Sequence, residues 1–400
     1  MAKVMIIGDA GCHTGFARVV HSIGDRLVTT HGHDVSVLAI NYRGDYYPTS
    51  MKLYAAGLNN ASDIYGMSRI VGLLEALQPD VVVILQDPQV IMKYLFSNSY
   101  DQDRVFLQAR PILAYIPVDG TGHPQTWGVL KDVVTRVAMS KFGRDTWMPE
   151  AQVVYHGVDA DTFRPVTERA ITLSSGHVLK TKRDCKKAFG FDPDGFLVLR
   201  VDRNSLRKDY PDTVKALWPL LVKHKDIQVH FHCEANDVAG VNLAQMLSRR
   251  PELKDHFQFP AGLNTFFGWP EEDLVALYNA ADVFVSTTWG EGFGLTLAEA
   301  AACGIPIVTQ DVSTMPEVVG PGAVLLPPER SVTVASGEDQ WLPNVSLFTE
   351  AIEKLYLSAG MRRTLGKAGR EHVRQFTWDF AAAKFHEFIG ELATATPGKD

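Results

Sequence analysis

Cysteine is scarce in this chain. The sequence of 400 residues contains four cysteines, and they lie far apart, at Cys12, Cys185, Cys233 and Cys303. No two of them form a CxxC pair, which is a common spacing in structural zinc sites and redox motifs. The distribution therefore predicts neither a disulfide framework nor a cysteine-bound zinc ion. It favours a reducing compartment such as the cytoplasm.

The sequence also lacks long apolar runs and an excess of positive charge. Its longest aliphatic runs, such as Val81 to Leu85, are far too short to cross a bilayer. The first residues lead into a predicted strand without the apolar core of a signal peptide. The formal net charge is −7, so no general attraction to nucleic acid or to an anionic membrane is expected. We expect a cytoplasmic globular protein without a membrane span.

Strand-like and helix-like segments alternate along the chain, which is typical of doubly wound parallel sheets. A chain of this length predicts two domains, and the polar segment from Thr167 to Gly176 is predicted to link them. A loop is predicted from Pro327 to Asn344. The predicted strands are 3–8, 33–40, 79–85, 110–118, 133–139, 152–155, 196–201, 227–234, 282–286 and 307–309.

One stretch indicates a ligand-binding turn. After the predicted strand 282–286, three glycines at alternate positions (290, 292 and 294) precede a run of helix formers. Glycine lets the backbone approach a ligand closely, and a helix N-terminus attracts an anion such as a diphosphate. Glu291 lies in the turn and Glu299 just over one turn into the helix, where each carboxylate could accept hydrogen bonds from a diol. The pattern predicts a nucleotide-sugar site.

Glu291 and Glu299 are separated by seven residues within EGFGLTLAEA, which continues into CGIPIV. This stretch resembles the signature of the retaining glycosyltransferases of the GT-B fold, family four. The resemblance implies an α/β chain with two Rossmann-like, doubly wound parallel-sheet domains, a cleft between them and a C-terminal helix that crosses back to the first domain. We expect an acceptor domain over 1–166, a nucleotide-sugar donor domain over 177–375, and a crossover helix and tail over 376–400.

Two cations are predicted to bind the donor phosphates. Arg203 and Lys208 follow the predicted strand 196–201, and such a pair at a strand end can hold a diphosphate from two directions. They resemble the phosphate-binding Arg and Lys of the family, although Asp202 replaces the glycine that usually precedes the Arg. The predicted donor site comprises Gly15, Arg203, Lys208, Glu291, Gly292, Phe293, Gly294, Leu295 and Glu299.

The predicted acceptor site lies at strand ends in the first half. Asp119, in Ile-Pro-Val-Asp-Gly, resembles the family residue that lies beside the sugar and the acceptor, although Asp before Gly also forms turns. Residues 14–18 resemble the glycine loop that faces the donor phosphates and the acceptor. His13 and His123 are either acceptor contacts or surface histidines. The predicted acceptor-binding residues are His13, Thr14, Asp119 and His123, and the predicted catalytic residues are Glu291, Asp119, Arg203 and Lys208.

Histidines at two further places allow more than one interpretation. His156 occupies a position where the family usually has Asn, before a Gly at the exit from the first domain. His230 and His232 share a strand face with Glu234, which would suit a metal ion, but alternate histidines on a strand more commonly pack. We predict no bound metal. The resemblance places the nucleobase near residues 261–265.

The resemblance implies a retaining hexosyltransferase that needs no metal and no cofactor. Its co-substrate would be a nucleoside-diphosphate sugar, a UDP- or GDP-hexose, and transfer to a hydroxyl would occur on the face that the diphosphate leaves. One alternative acceptor is a hydroxymethylated DNA base, which the net charge does not indicate but which the basic cluster Lys180–Lys187 keeps open. The same fold would also suit a nucleotide-sugar epimerase or hydrolase, or a non-catalytic subunit that binds a nucleotide sugar.

Overall fold

The structure is a computed structural model that describes residues 1–58, 62–96, 107–263 and 268–394. The chain divides into two compact units. The first unit comprises Met1–Gly157, Ala335–Glu338 and the residues from Thr377 onward, and the second comprises Val158–Val334 and Asp339–Phe376. Each unit is built on one parallel sheet. The predicted domain limits stay a prediction.

The sheet of the first unit has seven strands in the order β3-β2-β1-β4-β5-β6-β7, all parallel. Its central strand β1 pairs with two neighbours, so that Val4 lies beside Val35 and Val81. The strands are β1 (Lys3–Asp9), β2 (Asp34–Ile40), β3 (Lys52–Ala55), β4 (Val81–Leu85), β5 (Ile112–Ile116), β6 (Thr135–Ala138) and β7 (Gln152–Val153). The α-helices between them are α1 (Gly15–Thr29), α2 (Ile70–Leu77), α3 (Pro88–Phe96) and α4 (Lys141–Trp147).

The sheet of the second unit has six parallel strands in the order β12-β11-β10-β13-β14-β15. The central strands β10, β13 and β14 are buried along their whole length, as expected for strands of a parallel sheet that is covered on both faces. The strands of this sheet are β10 (Phe196–Val201), β11 (Ile227–His232), β12 (Phe257–Gln258), β13 (Val283–Ser286), β14 (Ile307–Gln310) and β15 (Ala323–Leu326). The α-helices are α5 (Lys182–Ala188), α6 (Tyr210–Lys223), α7 (Leu243–Ser248), α8 (Glu271–Ala280), α9 (Leu295–Ala302), α10 (Met315–Val319), α11 (Val345–Leu357) and α12 (Ala359–Val373).

The C-terminal helix α13 (Trp378–Thr394) belongs to the first unit. It packs on α1, where Nε of Arg26 lies 2.6 Å from Oδ1 of Asp379. The chain enters α13 past Gly157, where a Cβ atom would lie 2.1 Å from the backbone nitrogen of Trp378. Only glycine permits this approach. The predicted tail residues 395–400 lie outside the described residues.

Two predicted irregular segments form antiparallel hairpins. The predicted linker is a hairpin of β8 (Ile171–Thr172) and β9 (Val178–Leu179). Its turn is fixed to the second unit by Ser174, whose backbone N–H donates to Asp273 at 2.8 Å. The predicted loop 327–344 is also wrong, because β16 (Pro328–Thr333) pairs there with β17 (Asp339–Pro343). β16 is largely exposed and polar, and β17 is half-buried without strict alternation of apolar and polar residues, so apolar patterning gives little signal of them.

The two parallel sheets and the alternation of strands and helices confirm the predicted fold class. Short 3₁₀ segments supplement the α-helices, at Met67–Arg69, Gln125–Asp132, Leu206–Lys208, Pro251–His256 and Gly320–Gly322. Among the described residues, no helix is long and apolar enough to cross a membrane.

Candidate active site

The candidate site lies at the carboxyl ends of β10 and β13, which are adjacent strands of the second sheet. The segment after β10 and the segment after β13 therefore meet. The backbone N–H of Trp289 donates to the carbonyl of Arg207 at 2.8 Å, and the Arg207 guanidinium donates to the carbonyl of Gly290 at 2.6 Å. These bonds fix the two segments to one another.

Lys208 lies between two carboxylates. Its Nζ atom is 2.6 Å from Oδ1 of Asp202 and 2.5 Å from Oε1 of Glu291. Arg207 approaches Oε2 of Glu291 at 3.3 Å. Burial by itself raises the pKa of Glu291, but the cations of Lys208 and Arg207 outweigh it and hold that pKa well below its usual range. Glu291 is therefore an ionised carboxylate over the working pH range.

Arg203 is held by an acid from a neighbouring strand end. Its Nε and Nη2 atoms donate to the two carboxylate oxygens of Asp237 at 2.6 and 3.1 Å. Burial raises the pKa of Asp237, but hydrogen bonds from Arg203 and from a backbone N–H outweigh this effect, so the pKa lies below its usual value. The Arg203 side chain remains 51% exposed, so part of its guanidinium is accessible. Asp237 was not predicted from the sequence, because it follows β11 in a polar segment without a distinctive pattern.

Arg200 is a fully buried cation beneath these residues. Its guanidinium donates to the hydroxyls of Thr213 and Thr287 and to the carbonyls of Lys208 and Asp209. It thereby fixes the segment that carries Lys208 to the segment that follows β13. This role was not predicted from the sequence, although a single Arg within the apolar strand 196–201 was a visible signal.

The glycine turn leads into α9 as predicted. Gly294 has φ of +94° at the N-cap of α9, a conformation that favours glycine. The backbone N–H of Glu291 donates to Oγ of Ser313 at 3.0 Å, which fixes the start of the turn. Gly292 and Phe293 are buried, and Leu295, the first residue of α9, is half-buried. The helix N-terminus thus follows directly on the turn that carries Glu291.

Glu299 lies on α9 and is 5% exposed. Its Oε2 atom accepts a hydrogen bond from the buried hydroxyl of Tyr278 at 2.8 Å. Burial and the Glu299 carboxylate both raise the pKa of Tyr278 well above its usual value. Tyr278 therefore stays a hydrogen-bond donor that orients Glu299.

The glycine loop of the first unit caps a helix. Thr14 is the N-cap of α1, where its hydroxyl accepts from the backbone N–H of Ala17 at 3.2 Å. The same hydroxyl donates to Asp9 at 3.1 Å, and Gly15 is the first residue of α1. His13 is exposed beside the cap; partial burial and the charge of Arg18 lower its pKa. Thr14 thus has a structural role in addition to its predicted contact with the acceptor.

Asp119 and His123 lie in the segment that follows β5. Asp119 is half-buried, whereas the His123 side chain is 4% exposed. Nδ1 of His123 lies 2.9 Å from Oε1 of Glu338, and its ring packs against Trp127 and Trp147. His123 is therefore no surface histidine. Its assignment to the acceptor stays a prediction, as does that of Asp119.

The three histidines of uncertain role are buried. His156 packs against Tyr115 and Trp378, and burial lowers its pKa to about 3. Burial also lowers the pKa of His230 to about 3 and that of His232 to about 4. These rings are neutral at working pH, and His232 packs edge-on against Trp269. Throughout the described parts of the chain, no group of three or more His, Cys, Asp or Glu residues is arranged to hold a metal ion.

The structure brings together part of the predicted site. Lys208, Glu291 and the glycine turn lie together beyond the carboxyl ends of β10 and β13, where Asp202 and Arg207 contact them. Arg203, Leu295 and Glu299 lie in the same unit, whereas the other predicted contacts lie in the first unit, at His13, Thr14, Gly15, Asp119 and His123. Of the predicted nucleobase segment, residues 264 and 265 lie outside the described residues.

Comparisons with known proteins agree with this architecture. A family model described as "Glycosyl transferases group 1" matches residues 197–356. A D-inositol 3-phosphate glycosyltransferase from Corynebacterium jeikeium is 28% identical over 254 residues, which are 63% of this chain and 54% of that protein. The enzyme of the same name from Mycobacterium leprae is 30% identical over 250 residues, covering 61% and 50%. The chain thus spans about half the length of these two curated relatives.

Solved structures show the same fold at low sequence identity. Sucrose-phosphate synthase from Thermosynechococcus elongatus superposes with a TM-score of 0.70 at 17% identity, covering 99% of this chain and 100% of that one. HepE from Anabaena, solved in complex with UDP-glucose, has a TM-score of 0.65 at 14% identity and covers 99% and 100%. Residues 197–356, which carry the Glu291 signature, are thus similar to the group 1 glycosyl transferases, and the two parallel sheets give the chain the GT-B fold.

Proposed function

We propose that the chain transfers a hexose from a nucleoside-diphosphate sugar to a hydroxyl group, with retention of configuration and without a metal ion. The observation that carries this proposal is the contact of Lys208 with Glu291 beside the N-terminus of α9. It combines a cation suited to a diphosphate and a carboxylate suited to sugar hydroxyls in one place. The similarity of residues 197–356 to the group 1 glycosyl transferases supports the same reaction.

The cations would stabilise the leaving diphosphate. As the glycosidic bond breaks, negative charge grows on the phosphate oxygens, and Lys208, Arg203 and the N-terminus of α9 would supply donors and positive charge for it. Arg203 is suited to this role because it is half-exposed and presents a planar fork of donors. Since these groups provide the charge, the proposal requires no metal. Activity that persists in EDTA would agree, and activity that EDTA abolishes and Mg²⁺ restores would contradict it.

The carboxylates would bind the two sugars. Glu291, kept ionised by Lys208 and Arg207, would accept hydrogen bonds from hexose hydroxyls and stabilise the positive charge that develops on the anomeric carbon. Glu299, oriented by Tyr278, would accept from the ribose diol. The bond from the anomeric carbon to the phosphate oxygen breaks, and its electron pair stays on the diphosphate. The acceptor oxygen bonds to that carbon on the same face, and its proton passes to the departing phosphate oxygen.

UDP-hexose is the donor that we propose to test first, because HepE was solved with UDP-glucose. The experiment is a thermal-shift comparison of UDP-, GDP- and ADP-glucose on the wild type and on Glu299→Gln. A ligand at a hundredfold excess over its dissociation constant adds about 2.7 kcal/mol to stability, so specific binding raises the melting temperature. A shift with one nucleotide that Glu299→Gln reduces supports the donor site. Equal shifts in both proteins would contradict it.

The acceptor assay begins with inositol 3-phosphate, because the curated relatives are named for it. A hydroxymethylated DNA duplex is the second acceptor in the panel. Proton NMR of the product gives the anomeric configuration, and retention of the donor configuration is the expected result. Alanine variants of His13, Asp119 and His123 test the predicted acceptor contacts. Each substitution should lower turnover with acceptor but leave donor binding unchanged.

The rival functions give different results in the same assays. Stoichiometric release of the nucleoside diphosphate without any acceptor would indicate a hydrolase, and an altered sugar configuration in unreacted donor would indicate an epimerase. Donor binding with no turnover across the acceptor panel would favour a non-catalytic subunit. Wild-type turnover in Glu291→Ala and Arg203→Ala would contradict the proposed roles of both residues.

A further inference from the structure

The second unit contains a cavity near the amino ends of its central strands, on the opposite side of the sheet's strand ends from the candidate active site. Its volume is about 530 Å³, which lies within the usual range of small-molecule sites, about 300–1,000 Å³. Ala281, which precedes β13, and Gly304 and Ile305, which precede β14, form part of its wall. These residues lie at the amino ends of their strands, whereas Glu291 and Arg203 lie at carboxyl ends. The cavity is therefore separate from the proposed donor site.

The lining of this cavity is predominantly basic. Helix α12 and its C-cap contribute Arg363, Lys367, Arg370 and Arg374, whose spacing of four, three and four residues places them on one helix face. Lys182 of α5 also lines the cavity. The lining includes two carboxylates, Glu168 and Glu371, against these five cations. The cavity therefore attracts anions.

Two of the five cations have structural partners. Arg370 is 7% exposed; it forms an ion pair with Glu168 and donates to the carbonyl of Ala302 at the end of α9. Lys182 donates to the carbonyl of Ala281 at 2.6 Å and lies 3.2 Å from Asp282. These contacts shape the wall of the cavity, so Arg370 and Lys182 contribute positive charge from fixed positions.

The other three cations are accessible to a ligand. Arg363, Lys367 and Arg374 are exposed. Nζ of Lys367 lies 3.9 Å from Oε1 of Glu371, and an exposed ion pair of this kind contributes little to stability. Within the described parts of the chain, the guanidinium groups of Arg363 and Arg374 form no salt bridge or hydrogen bond. Arg363 and Arg374 are eleven positions apart, about 16 Å along a helix. One phosphate group cannot contact all three side chains at once, but a longer polyanion can.

We propose that this cavity binds a small organic molecule with more than one phosphate group. The accessible cations of α12 contact its phosphates, and the half-buried Pro165 provides apolar surface for its carbon skeleton. Arg side chains suit this ligand class because their planar fork of donors matches phosphate oxygens. This inference does not depend on the proposed transferase activity.

Isothermal titration calorimetry with inorganic tripolyphosphate tests the proposal. The titration uses the whole chain with Arg203→Ala, which weakens phosphate binding at the proposed donor site. We expect one tripolyphosphate site per chain, with an affinity that falls as salt is raised. Adding Arg363→Ala and Arg374→Ala should weaken it at least about tenfold, because each substitution removes hydrogen bonds to a charged group.

Lys354→Ala is the matched control. Lys354 is an exposed cation on the preceding helix α11, outside the cavity lining, so its loss should leave the affinity for tripolyphosphate unchanged. Melting temperatures should agree among all these variants, since the substituted side chains are exposed. Absence of tripolyphosphate binding in the Arg203→Ala protein would overturn the proposal. Equal weakening by Lys354→Ala and by the double substitution would also overturn it, because it would indicate general charge attraction.

Discussion

The ammonium group of Lys208 lies 2.5 Å from the carboxylate of Glu291. The side chains are 13% and 9% exposed, so the pair is shielded from solvent. Asp202 accepts a second bond from the same ammonium at 2.6 Å. This contact gives Asp202 a role at the position where the family usually has glycine: it holds Lys208 next to Glu291.

Lys208→Met should raise the pKa of Glu291. The cation that keeps this buried carboxylate ionised would be lost, and burial favours the neutral form. In the wild type the depressed pKa stabilises the fold above the unfolded pKa, and that contribution is lost as pH falls through the folded pKa. In the variant the folded pKa is expected to move upward towards the unfolded value, so the contribution is smaller and stability depends less on pH in the acid range. Melting temperature against pH measures the change.

The same variant should reduce turnover about 10²–10³-fold, as expected when one charged donor to a leaving group is removed. Asp202→Asn is the control, because the amide oxygen of Asn still accepts from Lys208 and keeps it next to Glu291, so turnover should fall much less. If both substitutions reduced turnover equally, Lys208 would act through its position between the acids and not as a phosphate donor.

Asp209 should titrate near neutral pH. Burial raises its pKa to about 6, and the negative charge of Asp212 adds to this increase. The hydrogen bond from the Trp289 indole lowers the pKa but does not outweigh burial. Between the unfolded value of about 4 and this folded value, the native chain binds more protons than the unfolded chain. The contribution of Asp209 to stability therefore falls as pH rises through this window.

The indole N–H of Trp289 reports this titration because it donates to Oδ2 of Asp209 at 2.8 Å. Its NMR chemical shift should change with a midpoint near pH 6. Asp212→Asn removes a negative charge beside Asp209 and should lower the midpoint. A Trp289 resonance that is flat across this range would refute the assignment.

The sequence predicted the parts of the site that depend on local pattern. The glycine turn with Glu291 could be placed because an apolar strand, three glycines and a helix follow one another. Lys208 could be placed beside it because parallel strands bring their carboxyl ends to one edge of a sheet. The hairpin of β16 and β17 gave no such signal, since β16 is polar and exposed and the short, half-buried β17 does not alternate apolar and polar residues.

Partners distant in sequence could not be predicted in the same way. Arg203 is separated from Asp237 by 34 residues, and which acid it binds depends on the order of β10 and β11 in the sheet. His123 had the sequence of a surface turn, but its partner Glu338 lies 215 residues away. Arg200 was visible as a charge within an apolar strand. Its hydrogen-bond partners could not be predicted, because they depend on which segments the fold brings next to β10.

Arg200→Met should destabilise the protein and displace the segment that carries Lys208. The substitution leaves buried oxygens of Thr213, Thr287 and the carbonyl of Lys208 without their donor. Removing one member of a buried charged network typically costs about 3–5 kcal/mol. Thermal and chemical denaturation measure the loss. The control is Lys215→Met, which breaks an exposed ion pair with Asp212 and should change stability by no more than about 0.5 kcal/mol.

Gly366→Ala tests how closely α12 must approach the turn that precedes β14. A Cβ atom at Gly366 would lie 2.0 Å from the carbonyl oxygen of Gly304 and 2.9 Å from its carbonyl carbon. Both are backbone atoms that no side-chain rotation can move, so the helix itself must shift. We expect a loss of at least about 2 kcal/mol, in line with overpacked sites, and weaker tripolyphosphate binding because α12 carries the cations of the cavity.

Gly390→Ala is the matched control on helix α13. In the described part of the chain, nothing outside that helix lies within 4 Å of the position that its Cβ would occupy. Alanine is the better helix former by about 0.5–1 kcal/mol, so this variant should be at least as stable as the wild type. Opposite signs for the two substitutions would show that close packing, and not helix propensity, requires glycine at position 366. If Gly366→Ala melted like the wild type, α12 would tolerate displacement from β14, and the cavity that it lines would not be rigidly formed.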